Sequence, residues 1–183
     1  MEKKYKCGLY IGRFQPIHIG HENIIRRMLE ECTFVIVAIG SVQEHNTPRN
    51  PFSFYERKDL ITNVFYREVI SGKLIIIPLK DRENPSNDAS WGDYVFDKVK
   101  WFTNEKPDVV YEGEEAERNT WYDNQDVEII RVPRTEVMIS ATEIREELIK
   151  PEAPSLALTL SIPAPIRYRI REMREVIRNA NKN

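Results

Sequence analysis

Two imidazoles stand three residues apart in the stretch Gly12-Arg13-Phe14-Gln15-Pro16-Ile17-His18-Ile19-Gly20-His21. If this stretch is a turn that runs into a helix, both rings reach the same side of the helix's first turn. A helix start also offers unpaired N–H groups and the positive end of the helix dipole, which suits a phosphate. Two imidazoles aimed at one point then suit the charge that builds on a phosphoryl group during transfer. Gly12 is expected to let the backbone turn tightly beside a ligand, and Gly20 to leave room for a bulky one. A Gly-Arg-Phe turn alone says little; a His-x-Gly-His opening a helix directly after the first strand says much more. Two other readings stand beside this one. His18 and His21 could bind a metal with His45, the one remaining histidine, although no paired carboxylate or thiolate motif accompanies them. They could also be surface or helix-capping histidines with no chemical role.

A second set lies at Ile139-Ser140-Ala141-Thr142-Glu143-Ile144-Arg145. Ser140 and Glu143 have the spacing of a capping box, in which each side chain satisfies the other's backbone N–H. Thr142 falls in the first helical turn, where hydroxyl and backbone donors converge on an anion. Arg145 is spaced to reach back over that turn as a bidentate phosphate donor. A capped helix with an exposed arginine is common, so this set gains weight only beside the first.

The elements that must position these residues alternate along the chain. Strands are expected at Tyr5–Ile11, Phe34–Ile39, Leu74–Leu79, Asp108–Tyr111 and Val127–Val132. The continuous run at Phe34–Ile39 reads as a strand buried on both faces. Helices are expected at Glu22–Glu31, from the capping box Ser53-Phe54-Tyr55-Glu56 to about Phe65, and at Ser90–Phe102. A short one is expected at Glu115–Trp121, one from Ser140 to about Ile149, and a basic last one at Ile166–Arg178. Residues 80–89 read as a loop, and the prolines from Pro151 to Pro165 as an irregular crossover. This order predicts an α/β fold: a Rossmann-like, doubly wound parallel sheet of about five strands, helices on both faces and a C-terminal helix. We divide it into an α/β domain over residues 1–150, with residues 151–183 as a crossover and helix packed on the same domain. Ligands in such folds bind at the carboxyl ends of the strands, where both residue sets fall.

Composition sets the outer limits. Of 183 residues 41% are apolar, enough for a core, and the formal net charge of −2 gives no bulk attraction for a polyanion. We therefore expect neither nucleic acid nor membrane as a partner, and a cytoplasmic protein. The two cysteines, Cys7 and Cys32, read as small buried hydrophobes in a reducing compartment. No Ser-His-Asp or Cys-His arrangement and no hydrolase-like carboxylate pair stands out, which turns the reading from covalent catalysis to in-line displacement at phosphorus.

The His18-Ile19-Gly20-His21 and Ile139-to-Arg145 motifs resemble the paired motifs of the nucleotidyltransferase superfamily. Gly12-Arg13-Phe14-Gln15-Pro16 with Gly40-Ser41-Val42-Gln43, Arg49-Asn50-Pro51-Phe52, Glu56-Arg57 and Trp91 is similar to nicotinamide-nucleotide adenylyltransferase of the archaeal type. That type also occurs as the N-terminal domain of enzymes fused to a Nudix hydrolase. The resemblance implies transfer of AMP from ATP to nicotinamide mononucleotide, with nicotinate mononucleotide as a possible second acceptor, forming NAD and pyrophosphate. It implies that His18, His21 and Arg145 are catalytic. Gly12, Arg13, Phe14, Gly20, Arg49, Ser140 and Thr142 would hold ATP and its phosphates. Trp91 would stack on the nicotinamide ring, although an aromatic on an amphipathic helix is often simply core. No protein ligand set for a metal is expected; Mg²⁺ would arrive on the ATP phosphates. The resemblance also implies homo-oligomers. The alternatives are a sibling transferase acting on phosphopantetheine or transferring CMP, and a silent nucleotide sensor.

Overall fold

The computed structural model describes residues 3–81, 88–113, 121–123, 125–133 and 140–182. Five strands form one parallel sheet: β1 Tyr5–Gly12, β2 Cys32–Ile39, β3 Leu74–Pro78, β4 Val109–Gly113 and β5 Glu128–Val132. Their order across the sheet is β3-β2-β1-β4-β5. The chain winds outward from β1 to β3, returns, and winds outward the other way through β4 and β5. The order reverses between β1 and β4, so the crevice at their carboxyl ends is where such a sheet binds ligands. Gly12, the last residue of β1, opens onto that crevice.

Alternation along each strand sends side chains to opposite faces. On β2, Val35, Val37 and Ile39 join one buried cluster while Ile36 and Ala38 join the other. Both faces of this strand are covered, which is why its sequence is an unbroken apolar run. The larger cluster lies under α1 (Ile19–Glu31), α2 (Phe54–Val64), α5 (Ala141–Leu148), α6 (Leu156–Ser161) and α7 (Ile170–Ala180). The smaller one lies under α4 (Asp88–Thr103), through Val95, Phe96 and Val99. Met173 and Ile177 of α7 belong to the larger cluster with residues of β1 and β2, so the C-terminal segment shares one core with the sheet.

Several boundaries differ from expectation. The helix opened by Ser53 stops at Val64; Phe65, with φ −118° and ψ 40°, separates it from a short helix α3, Tyr66–Ile70. The proline-rich crossover contains a helix, α6, capped by Ser155, whose hydroxyl accepts the N–H of Leu158 at 3.1 Å. The last helix begins as a 3₁₀ turn at Ala164–Arg169 and becomes α7 only at Ile170. Pro165 sits in the first turn, where its missing N–H costs no helical bond. Ile139, residues 82–87 of the expected loop and residues 115–120 of the expected short helix lie outside the described residues. Among the described residues, no helix is long and apolar enough to cross a membrane.

Candidate active site

The turn after β1 is sharper than Gly12 alone would make it. Phe14 adopts φ 52°, the left-handed region that side chains other than glycine avoid. Its ring is 1% exposed and meets Tyr10 edge-on, with 5.6 Å between centroids. A Cβ on Gly12 would lie 3.0 Å from that ring. Gly12 therefore makes room for Phe14, and Phe14 carries the reversal. The Phe14 side chain, expected at the phosphates, is instead a core residue beneath them; only its backbone could meet a ligand.

The two histidines form the cap of α1. His18 is the N-cap residue, and its Nδ1 accepts the N–H of Gly20 at 3.2 Å. His21, in the third helical position, returns the arrangement: its Nδ1 accepts the N–H of His18 at 3.3 Å. The capping-histidine reading is thus correct as far as it goes, and it has a chemical consequence. With both Nδ1 atoms accepting, a neutral ring at either position carries its proton on Nε2. The rings lie 3.7 Å apart and are inclined by only 31°. Burial, and next the neighbouring His18, hold the His21 pKa well below its ordinary value. Phe14 supports His21 from below, with 4.7 Å between centroids. Gly20 plays a different part from the one expected: a Cβ there would lie 3.1 Å from the His18 ring, so its space is taken by the imidazole and not kept for a ligand.

The second motif meets the first. Ser140 caps α5, its hydroxyl accepting the N–H of Glu143 at 3.2 Å and donating to the Glu143 carboxylate at 2.8 Å. That hydroxyl is committed to the cap, so Ser140, expected as a phosphate ligand, serves the helix start itself. Thr142 is exposed in the first turn of α5. Arg145 reaches back over it, donating from Nη2 to Thr142 Oγ1 at 3.2 Å and from Nη1 to the carbonyl of Gln15 at 2.7 Å. A guanidinium 130 residues downstream is thereby fixed to the turn that leads into the histidines.

Arg13 and Arg49 are both exposed. Burial, then Arg49, draw the Arg13 pKa down. Burial, then Arg13, draw down that of Arg145, with Arg49 adding a smaller push. Three guanidiniums therefore feel one another, and none of them forms an ion pair with a carboxylate among the described residues. Like charges gathered this way are stabilised by an anion that bridges them.

Two residues outside the expected site build it. Gln15 is 2% exposed; its Nε2 donates to the Phe52 carbonyl at 2.8 Å and its Oε1 accepts the Phe52 N–H at 2.9 Å. One amide thus clamps the Arg49 loop to the first turn, while the same residue's carbonyl holds Arg145. Arg57 is completely buried, and burial pulls its pKa down to about 10, still high enough to keep the charge at neutral pH. Their sequence signal was position: Arg57 shares the buried face of α2 with Leu60, Ile61 and Val64 at helical spacing. Trp91 stands apart, in the first turns of α4 beyond β3. It is half-buried against the smaller cluster and pairs with Tyr94, 5.3 Å between centroids. The Tyr94 hydroxyl in turn accepts the N–H of Lys80 at 3.2 Å.

Residues 9–147 match the cytidylyltransferase-like family. The chain belongs to it. Within this family the chain is 31% identical to the nicotinamide-nucleotide adenylyltransferase of Thermococcus onnurineus (strain NA1), over 80% of its own length and 74% of the relative's. It is 32% identical to the enzyme of that name from Thermoplasma volcanium, over 89% and 84% of the two chains. The relatives place this cytidylyltransferase-like chain in the archaeal-type nicotinamide-nucleotide adenylyltransferase branch. A solved structure of a bifunctional NMN adenylyltransferase/ADP ribose pyrophosphatase from Francisella tularensis has the same fold, with a TM-score of 0.76 at 23% identity. The match covers 94% of this chain and 51% of that one, so the chain spans about half the length of the bifunctional protein.

Proposed function

We propose that the chain transfers AMP from ATP to nicotinamide mononucleotide, forming NAD and pyrophosphate. The observation that carries this reading is the hydrogen bond from Arg145 to the Gln15 carbonyl, which joins two helix starts around one space. His18, His21, Arg13, Arg49 and Arg145 would surround a triphosphate placed there. The mononucleotide's phosphate is already largely dianionic at neutral pH, so the attack needs no base to remove a proton. One of its oxygens attacks the α-phosphorus, the bond from that phosphorus to the bridging oxygen breaks, and pyrophosphate leaves. Charge accumulates on non-bridging and leaving oxygens, where the two Nε2–H donors and the guanidiniums act. The capping bonds preset both rings, so their Nε2 atoms need no reorganisation to act.

Among the described residues, no group of three or more His, Cys, Asp or Glu side chains could hold a metal. A site of this composition fits a divalent ion such as Mg²⁺ that arrives on the triphosphate and keeps water as most of its other ligands. There it would neutralise part of the phosphate charge. Trp91, half-buried at the start of α4, has an aromatic face suited to a pyridine ring. The test is incubation of the purified chain with ATP, Mg²⁺ and nicotinamide mononucleotide. NAD and pyrophosphate should appear in equal amounts. Nicotinate mononucleotide, phosphopantetheine and CTP run in parallel define the acceptor and the donor. If no dinucleotide forms from either pyridine mononucleotide, this reading is wrong.

A further inference from the structure

The carboxyl ends of β1 and β2 both run into residues with left-handed backbone, Phe14 at φ 52° and Ser41 at φ 51°. Both are buried, and neither is a glycine, so each turn needs outside support to hold its shape. One side chain touches both. The Arg57 Nη1 donates to the carbonyl of Arg13 at 2.9 Å and to that of Gly40 at 2.8 Å. Its Nη2 donates to the carbonyl of Ser41 at 3.3 Å, and its Nε to the carbonyl of Ser53 at 3.2 Å. Every one of these acceptors is main chain. Among the described residues no carboxylate lies within ion-pair distance of Arg57.

A side chain needed only to fill the core would be apolar, and a buried charge needed only for stability would be paired. A bare guanidinium spread over three segments does something else. Its planar fork fixes the relative position of carbonyls that belong to the first turn, the end of β2 and the start of α2. The first of those carbonyls is that of Arg13, whose exposed guanidinium lies close enough to Arg49 and Arg145 to interact electrostatically with both. We propose that Arg57 is a positioning residue for adenylyl transfer: it locks the two left-handed turns together and so aims Arg13 at the ATP phosphates. This rests on the function proposed above. Lysine cannot replace it in kind, because one ammonium donates from a single point and cannot span the same carbonyls.

The experiment compares wild type, Arg57→Lys, Arg57→Gln, Arg13→Ala and the double variant Arg57→Lys/Arg13→Ala. Steady-state NAD formation is measured for each, and far-UV circular dichroism identifies the folded variants. Folded Arg57→Lys should lose about 10- to 100-fold in kcat, as expected for a misplaced phosphate ligand, with the mononucleotide KM changed less than about 3-fold. In the Arg13→Ala background the same substitution should cost far less, because the residue through which Arg57 acts is already gone. A folded Arg57→Lys enzyme within about 2-fold of wild type would overturn the proposal, as would losses that multiply in the double variant. Unfolding of both the Lys and the Gln variants would make Arg57 a stability residue and overturn it equally. A wild type that makes no NAD would instead sink the functional reading, and this inference with it.

Discussion

The two helix starts that meet at the site are held by opposite means. The first, at His18, follows β1, the central strand of the five-stranded sheet, and rests on buried groups: Phe14, Gln15 and Arg57. The second, at Ser140, begins α5, a helix of eight residues whose first turn is exposed while Ile144 and Leu148 reach the larger core cluster. Its link to the first is the hydrogen bond from Arg145 to Gln15. Its far end is held by α7, where Arg174 donates to the carbonyls of Leu148, Lys150, Pro151 and Glu152. Arg178 adds bonds to those of Ile149 and Lys150. The lesson is a division of labour: a platform whose turn is fixed by buried polar side chains, and a clamp that shares the core through two apolar residues and is braced from behind by α7. Damage to the platform should strike the chemistry, and damage to the brace should strike stability first.

The sharpest way to break this contrast is at the platform. His18→Ala removes one preset donor, and kcat for NAD formation should fall by about 10²-fold or more while the Kd for ATP changes little. Full turnover with normal ATP binding would deny the histidine its role. Next in size is the brace. Arg174→Ala removes the donors to the carbonyl of Leu148 at the end of α5 and to those of Lys150, Pro151 and Glu152 just after it, and thermal unfolding should report a loss of about 1–2 kcal/mol. The kcat should move much less than it does for His18→Ala; a large fall in kcat at unchanged stability would erase the distinction. The smallest effect concerns pH. Burial lowers the His21 pKa from about 6.5, so the folded chain resists a proton that the unfolded chain accepts. Above that value both states are neutral and nothing is lost. As pH falls below about 6.5 the unfolded state gains, and the loss stops growing once pH passes the folded-state pKa. Denaturant titrations at pH 7.5 and 5.5 should show this decline in wild type and a flatter profile in His21→Asn.

Much of the platform's outline was legible in the chain. The His-x-Gly-His spacing, the Ser53/Glu56 and Ser140/Glu143 capping boxes and the five apolar strand segments all appear where the residues place them. These signals are local, and local patterns survive in a sequence. The supports were not legible because they act at a distance. Nothing near Gln15 says that its amide meets Phe52, 37 residues away. Arg57 reads as an ordinary charge one turn into a helix until its three apolar companions on the same face are noticed. The basic residues of the final helix carry no local sign of a partner, yet Arg174 and Arg178 spend their donors on the carbonyls after α5. Left-handed Phe14 and Ser41 could not be foreseen at all, since aromatic and hydroxyl side chains normally avoid that backbone.

The placing of β1 has one more consequence. It is paired along its length with β2 on one side and through Gly8–Tyr10 with β4 on the other, and the carbonyl of its last residue, Gly12, accepts the N–H of Gly40 at 2.9 Å. A strand so enclosed cannot fray alone; to release it, neighbours must separate first. Heating or denaturant therefore has no cheap path to a molecule that keeps its shape but has lost the loop before His18. The proposed site is thus tied to the centre of the sheet, and its geometry is expected to last until the sheet itself gives way.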